Sequence, residues 1–112
     1  MDIRIEPRGD VAVVGIAGSV DGLTAETLLS TLQLHVEAGG TRLVVDLSAV
    51  EYTSSAGLRA LLATVKEARR RGGDLRLADI NPNVRKVLEL SGFATILKIY
   101  AAVDEAVASY EG

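Results

Sequence analysis

The sequence predicts an α/β domain built on a mixed, mostly parallel open sheet in the order β-β-α-β-α-β-α-β-α, with about four helices. Two observations lead to this fold class. Strand-like and helix-like hydrophobic patterns alternate along most of the chain, which favours right-handed crossovers onto a parallel sheet. The first two strand patterns are separated only by a short turn, so they predict an antiparallel hairpin. We find no linker or internal repeat, and therefore expect residues 1–112 to form one domain.

The chain begins with the predicted hairpin. The segment DIRIE at residues 2–6 alternates between apolar and polar side chains, which is typical of a half-buried strand. Residues 7–10 combine Pro, Arg, Gly and Asp and predict a turn. VAVVGIA at residues 11–17 is mostly apolar and forms the second arm.

A helix and a buried strand follow. We expect residues 18–23 to form a loop and a helix to run from Thr24 to the Gly39-Gly40 pair. The apolar face of that helix has helical spacing and consists of Ala25, Leu28, Leu29, Leu32 and Val36. LVVDL at residues 43–47 is almost continuously apolar, as expected for a strand that is buried on both faces.

The second half repeats this alternation. A helix is predicted from residue 55 to a basic last turn at residues 69–71, where cations complement the helix dipole. Its apolar face consists of Leu58, Leu61, Leu62 and Val65. DLRLA at 74–78 predicts a strand. Asn81-Pro82 then predicts the start of a third helix, which continues to Leu90 and stops at Ser91-Gly92. The remaining predicted elements are a last strand at 96–100 and a last helix at 102–110.

Composition excludes several functions. The formal net charge of −3 argues against nucleic acid as a partner, because phosphate backbones are bound by basic faces. With no Cys and one His, thiolate sites and His-rich metal sites are excluded, and we expect no metal. Neither a dinucleotide glycine fingerprint nor a Walker A loop is present, so no cofactor is expected. The absence of a signal peptide and of a long apolar run favours a cytoplasmic protein with no membrane insertion.

The junction VEYTSSAGLRALL at residues 50–62 places three hydroxyl residues before a helix. Either Ser54 or Ser55 can cap that helix, which stabilises by roughly 0.5–2 kcal/mol, so the second serine needs another explanation. Catalysis is not expected, because Ser-Ser-Ala-Gly differs from the Gly-x-Ser-x-Gly turn of hydrolases and the single His35 lies in the first helix. Phosphorylation of Ser55 would fit, since a helix N-terminus tolerates an anion.

The face of the second helix opposite its apolar side predicts a smooth surface for another protein. That face carries small residues and one acid, namely Ala56, Ala60, Ala63 and Glu67. Arg59 and Lys66 flank it and could meet an acidic partner. An equally good explanation is that alanine simply favours helix formation.

These segments together resemble the STAS domain, and more closely the stand-alone bacterial anti-sigma-factor antagonists. The resemblance covers essentially the whole chain and rests on GSVDGLTAETL (18–28), LVVDLSAVEYTSSAGLRALL (43–62), GGDLRLADINPNVRKVLELSGF (72–93) and IYAAVDEAVASY (99–110). It implies that Ser55, two residues before Gly57, accepts a phosphoryl group from a serine kinase that is also the anti-sigma factor. It further implies that the unphosphorylated protein binds this kinase and frees the sigma factor, and that a PP2C-like phosphatase resets the switch.

The resemblance also implies a partner surface around the loop at Asp21 and the start of the second helix. The predicted contact residues are Asp21, Gly22, Thr24, Thr53, Ser54, Ser55, Ala56, Gly57, Arg59, Ala60 and Ala63. Many family members have Asp where this chain has Ser54, so Ser54 is the rival phosphorylation site. The alternative function is a STAS interaction module of another assembly, such as a signalling complex or a lipid-transport ATPase complex, without a phosphorylation switch. The oligomeric state is left open.

Overall fold

The computed structural model describes residues 1–111 and contains one five-stranded sheet in the order β1-β2-β3-β4-β5. The strands are β1 (Asp2–Arg8), β2 (Val11–Ala17), β3 (Arg42–Ala49), β4 (Asp74–Ala78) and β5 (Lys98–Tyr100). β1 pairs antiparallel with β2, and each later pair is parallel. The predicted fold class is confirmed.

Four α-helices connect or follow these strands. They are α1 (Gly22–Glu37), α2 (Ser55–Arg70), α3 (Pro82–Ser91) and α4 (Val103–Ala108), and a short 3-10 helix spans Phe93–Thr95. Each crossover from β2 to β5 moves one strand further in the same direction, so right-handed connections place α1, α2 and α3 on one face of the sheet. On the other face, Ala106 of α4 packs with Val11, Val44 and Ala78.

The main core lies between the sheet and the first three helices. Leu28 and Leu32 of α1, Leu61 of α2 and Leu88 of α3 belong to one buried cluster with the side chains of β2, β3 and β4. Burial of such aliphatic side chains is the main stabilising contribution, at roughly 1.5–3 kcal/mol each.

Several element boundaries differ from the prediction, which is wrong at these points. β1 continues through Pro7 to Arg8, because an edge strand tolerates proline, and only Gly9 and Asp10 form the turn. α1 begins at Gly22 instead of Thr24, because Asp21 is its N-cap.

The C-terminal boundaries were also wrong. Residues 93–95 turn as a 3-10 helix, so β5 begins at Lys98 and not at residue 96. α4 covers 103–108 and is shorter than the predicted 102–110.

Side chains hold the last helix to the amino ends of β3 and β4. The Tyr110 hydroxyl lies 2.7 Å from the carbonyl oxygen of Leu43 and 2.8 Å from that of Asp74. The buried Asp74 carboxylate accepts hydrogen bonds from Arg69 Nε at 2.8 Å and Arg76 Nε at 3.1 Å. The Arg76 guanidinium also stacks over the Tyr110 ring, 3.9 Å from its centroid. We call Arg69, Asp74, Arg76 and Tyr110 the buried polar network after its buried central residue Asp74, although Arg69 itself lies at the surface.

Candidate functional site

The starts of α1 and α2 lie side by side at the carboxyl ends of β2 and β3. Backbone hydrogen bonds fix this arrangement: the Val20 N–H donates to the Tyr52 carbonyl at 3.0 Å, and the Ser54 N–H donates to the Val20 carbonyl at 2.7 Å. Val20 and Thr53 also form a parallel bridge. The predicted neighbourhood of Asp21 and the serines is therefore present in the structure.

A capping box fixes the start of α1. The Asp21 carboxylate accepts hydrogen bonds from the N–H groups of Leu23 at 3.0 Å and Thr24 at 2.9 Å, and the Asp21 N–H donates to Thr24 Oγ1 at 2.9 Å. The bonds from Thr24, together with that from Leu23, lower the pKa of Asp21 below its ordinary value. Asp21 therefore presents a negative charge at neutral pH.

The two serines have different roles at the start of α2. Ser54 is the N-cap, and its Oγ accepts a hydrogen bond from the Gly57 N–H at 3.2 Å. Ser55 is the first helical residue and is exposed. Within residues 1–111 its hydroxyl has no hydrogen-bond partner, so it is available to another molecule.

Thr53 and Gly57 have a structural part in this arrangement. Both are buried. A Cβ atom at Gly57 would lie 2.5 Å from Thr53 Oγ1 and 2.7 Å from Val20 Cγ1, closer than real Cβ contacts. The missing side chain at Gly57 thus allows the first turn of α2 to approach the segment that precedes α1.

The prediction of a smooth surface on α2 is wrong at Ala60. This residue is only 4% exposed and belongs to the main core. α2 packs beside α1 on the sheet, and small side chains allow two helices to approach closely. Ala56 and Ala63 are half-buried. Glu67 is engaged by Arg70 and Arg71, and their hydrogen bonds lower its pKa to about 2.

Two residues outside the predicted site add apolar surface to it. Leu23 is 86% exposed in the first turn of α1, and Tyr52 is 56% exposed just before the serines. A sequence signal for Leu23 exists, since it falls outside the apolar spacing of Ala25, Leu28 and Leu32. Tyr52 carries no comparable signal, because an aromatic beside a buried strand is usually part of the core.

Gly22 and Arg59 complete the set of predicted residues. Gly22 is exposed at the first position of α1, where an added Cβ would meet nothing within 4 Å. Arg59 is exposed one helical turn beyond Ser55. The exposed residues of the site are therefore Asp21, Gly22, Leu23, Tyr52, Ser55 and Arg59.

Two further features of the part of the chain that the structure describes concern metal binding and membrane insertion. In residues 1–111, no three His, Cys, Asp or Glu side chains are grouped so that they could hold a metal ion. Within the same range, every helix is too short or too polar to cross a membrane.

Comparison with known proteins identifies similar chains. A family model described as the STAS domain matches residues 2–106. BtrV of Bordetella bronchiseptica, named as a candidate anti-sigma factor antagonist, is 33% identical over 111 residues, covering 99% of this chain and 96% of BtrV. The crystal structure of an anti-sigma factor antagonist from Mycobacterium paratuberculosis is 29% identical with a TM-score of 0.90, covering 99% of this chain and 94% of that one. Bacillus SpoIIAA in its phosphorylated form has a TM-score of 0.77 at 20% identity, covering 97% and 99% of the two chains.

Proposed function

The chain belongs to the STAS domain family, and from this premise we propose that it is an anti-sigma-factor antagonist controlled by phosphorylation of Ser55. In this proposal the unphosphorylated protein binds an anti-sigma factor that is also an ATP-dependent serine kinase, and the sigma factor is released. A PP2C-like phosphatase restores the unphosphorylated form, and the exchange takes place in the cytoplasm. The names of the similar proteins support the antagonist role.

The observation that carries the proposal is that the two serines differ in their hydrogen bonding. Ser54 caps α2, whereas the exposed Ser55 hydroxyl has no hydrogen-bond partner within residues 1–111. A kinase can therefore modify Ser55 without breaking a bond that holds the helix. In the transfer, Ser55 Oγ forms a bond to the γ-phosphorus of ATP, the bond from that phosphorus to ADP breaks, and the hydroxyl proton is lost to a base or to solvent.

The physical effect of the phosphoryl group is a local change in charge. It adds about 1.5 to 2 negative charges at neutral pH, at a helix N-terminus whose dipole favours an anion. The exposed carboxylates of Asp21 and Glu51 already lie on the segments that are bonded to the start of α2. A partner that covers this surface would face repulsion and a bulky group, while the domain keeps its fold. The structure of Bacillus SpoIIAA in its phosphorylated form supports the last point, because it shows that a phosphorylated protein can have this fold.

We extend the proposed partner surface to Leu23 and Tyr52. They lie close in sequence to Asp21 and Ser55, and their exposed side chains supply apolar area that the small residues of α2 do not. Tyrosine is among the residues that most often dominate the binding energy of an interface, and burial of a leucine side chain stabilises by roughly 1.5–3 kcal/mol. We therefore expect Leu23 and Tyr52 to be buried in the complex with the kinase.

The decisive experiment is a pull-down from host lysate with Ser55→Ala and Ser55→Glu proteins as baits, read by mass spectrometry. Ser30→Glu is the matched control, because Ser30 is an exposed serine in the middle of α1. We expect an ATP-binding kinase to be retained by Ser55→Ala and Ser30→Glu and lost by Ser55→Glu. Equal retention of one partner by all three baits would contradict the switch and favour a STAS module of another assembly.

A second experiment tests the apolar contacts. Leu23→Ala should weaken binding of the purified kinase by at least tenfold in calorimetry, because each buried methylene or methyl group that is removed costs roughly 0.8 kcal/mol of binding energy. Leu34→Ala is the control, since Leu34 is 67% exposed in the last turns of the same helix. Equal affinities for the two variants would exclude Leu23 from the interface.

A further inference from the structure

Arg59 lies in the place from which a cation can hold a phosphoryl group on Ser55. The two residues are four positions apart in the continuous helix α2, and both are exposed. Residues at i and i+4 are neighbours on a helix surface, and an anion that precedes the cation is the favourable order. The rise between them is only about 6 Å, which a long arginine side chain spans.

Arg59 is also uncommitted, in contrast to the arginines at the other end of α2. Arg69, Arg70 and Arg71 each form an ion pair with Asp74 or Glu67. Within residues 1–111, Arg59 forms neither an ion pair nor a side-chain hydrogen bond. No acidic residue occupies the first turn of α2, so an unmodified α2 offers Arg59 no anion there.

The charges around Ser55 make a nearby cation important for a phosphoryl group at this position. Asp21 and Glu51 are exposed carboxylates on the segments bonded to the start of α2, and they repel a further anion at Ser55. α3 is joined to the same region through Asn81, whose amide donates to the Val50 carbonyl, and it carries Arg85 and Lys86 on its exposed side. Among these cations, Arg59 is the one placed one helical turn from Ser55.

We propose that the guanidinium of Arg59 binds the phosphoryl group of phosphorylated Ser55 and so forms an intramolecular clamp along the first turns of α2. This inference rests on the proposed phosphorylation of Ser55 and deepens it. Arginine donates two parallel hydrogen bonds to phosphate oxygens, which makes it better suited to this contact than lysine. The clamp has a second effect, since it withdraws Arg59 from any acidic group of the partner while the new charge repels that partner.

The clamp also distinguishes the two serines. Four residues beyond Ser54 the chain has Leu58, which is buried in the core. A phosphoryl group on Ser54 would therefore have no cation at the corresponding position, and it would occupy the oxygen that accepts from the Gly57 N–H. Ser55 is the serine for which α2 provides a counter-charge.

The test uses full-length protein carrying genetically encoded phosphoserine at position 55, titrated by ³¹P nuclear magnetic resonance at low ionic strength. The second pKa of phosphoserine is about 6, and a cation four residues further along the helix stabilises the dianion. We expect Arg59→Ala to raise that pKa by about 0.3, a roughly twofold change in proton affinity, and Arg59→Lys to restore part of the difference. The effect should shrink in high salt, because the pair is exposed.

Two control variants remove a positive charge elsewhere. Lys66→Ala removes a charge on the same helix about 16 Å from Ser55 along the axis, and Arg85→Ala removes one from α3. Both should leave the phosphate titration unchanged. A titration of Arg59→Ala that coincides with either control would overturn the clamp. The measurement needs no kinase, so it decides the clamp separately from the pull-down that decides the switch.

Discussion

At the carboxyl ends of β2 and β3, backbone groups join the start of α1 to the start of α2, whereas at the amino ends of β3 and β4 side chains make the connections. In the first region, Val20 exchanges hydrogen bonds with Tyr52 and Ser54 through main-chain atoms only. In the second, Tyr110 and the Asp74 ion pairs connect α4, α2 and the sheet. The exposed side chains of the first region that cap no helix, such as Leu23, Tyr52 and Ser55, are thus available for recognition, whereas the side chains of the second region hold the fold together.

This difference predicts that a charge can be added at the exposed end of α2 without unfolding the domain. Main-chain hydrogen bonds do not depend on the side chains present, so an exposed residue such as Ser55 can be modified at low cost. A buried ion pair cannot lose one member without leaving the other uncompensated. We therefore expect substitutions to affect stability in the buried polar network and binding in the site, with Gly57 and the helix cap Ser54 as the exceptions.

The largest loss of stability is expected for Asp74→Ala. The substitution removes a buried carboxylate that accepts hydrogen bonds from Arg69, Arg76 and the Leu75 N–H. Arg76 is only 12% exposed and would be left without its carboxylate, at a cost of about 3 kcal/mol or more. Urea unfolding followed by circular dichroism measures the change.

The control for this prediction is Asp104→Ala. Asp104 forms an ion pair of similar length with Arg8, at 2.7 Å, but both side chains are largely exposed. Its removal should cost less than about 1 kcal/mol. Equal losses for the two variants would mean that burial does not distinguish the two pairs and would remove the basis of the comparison.

Gly57→Val is the larger exception within the site and should lower the free energy of unfolding by about 2 to 3 kcal/mol. The new side chain would overlap Thr53 Oγ1 and Val20 Cγ1, and overpacking of this kind is destabilising. Gly22→Val is the matched control, because Gly22 also lies in the first turn of a helix and an added Cβ there meets open space. In thermal unfolding, the melting temperature should fall strongly for Gly57→Val and change little for Gly22→Val. If Gly22→Val lowers the melting temperature by the same amount, the loss comes from the helix propensity of valine and not from its overlap with Thr53 and Val20.

The sequence predicted the order of elements because the alternation of strand and helix patterns is local. It could not decide which serine caps α2, since both are good N-cap residues and the helix start differs by one position. Ala60 was assigned to the surface because an alanine gives almost no hydropathy signal about the direction it faces. The structure decides the first point through the hydrogen bond from the Gly57 N–H to Ser54 Oγ, and the second through the burial of Ala60 in the core.

The buried polar network was not predictable from the sequence for another reason. The hydroxyl of Tyr110 bonds to backbone groups that precede it by 67 and 36 residues, so the contact exists only after the sheet and α4 are assembled. Arg69 was expected to complement the helix dipole with the other basic residues of its turn. It instead pairs with Asp74 and donates to the Ile96 carbonyl.

Tyr110→Phe should cost about 1 to 2 kcal/mol at pH 8. It removes the hydroxyl that bonds to Leu43 and Asp74 but keeps the ring beneath Arg76. Tyr52→Phe is the control, because Tyr52 is exposed. Urea unfolding of the two variants should give a clear loss for the first and little change for the second. Similar stabilities would show that the ring alone holds α4.

The same variant makes a prediction for alkaline pH. Burial, followed by the Asp74 charge, raises the pKa of Tyr110 above its ordinary value of 10.0. The native state therefore keeps the proton while the unfolded chain loses it above pH 10, so this contribution is complete below that pH and declines as the pH rises. We expect the difference in unfolding free energy between wild type and Tyr110→Phe to shrink by about 1.4 kcal/mol at pH 11. A difference that is independent of pH would contradict the burial of the hydroxyl.

The smallest expected change in stability distinguishes the two serines of the site. Ser54→Ala should cost about 1 kcal/mol, because the Gly57 N–H loses its acceptor. Ser55→Ala should change stability by less than about 0.5 kcal/mol, since an exposed hydroxyl without a partner contributes little. Ser54→Asp should be as stable as the wild type, because a carboxylate is an equally good cap and interacts favourably with the helix dipole. If Ser55→Ala costs as much as Ser54→Ala in urea unfolding, then Ser55 also holds the helix, and its phosphorylation would disturb the fold as well as the partner.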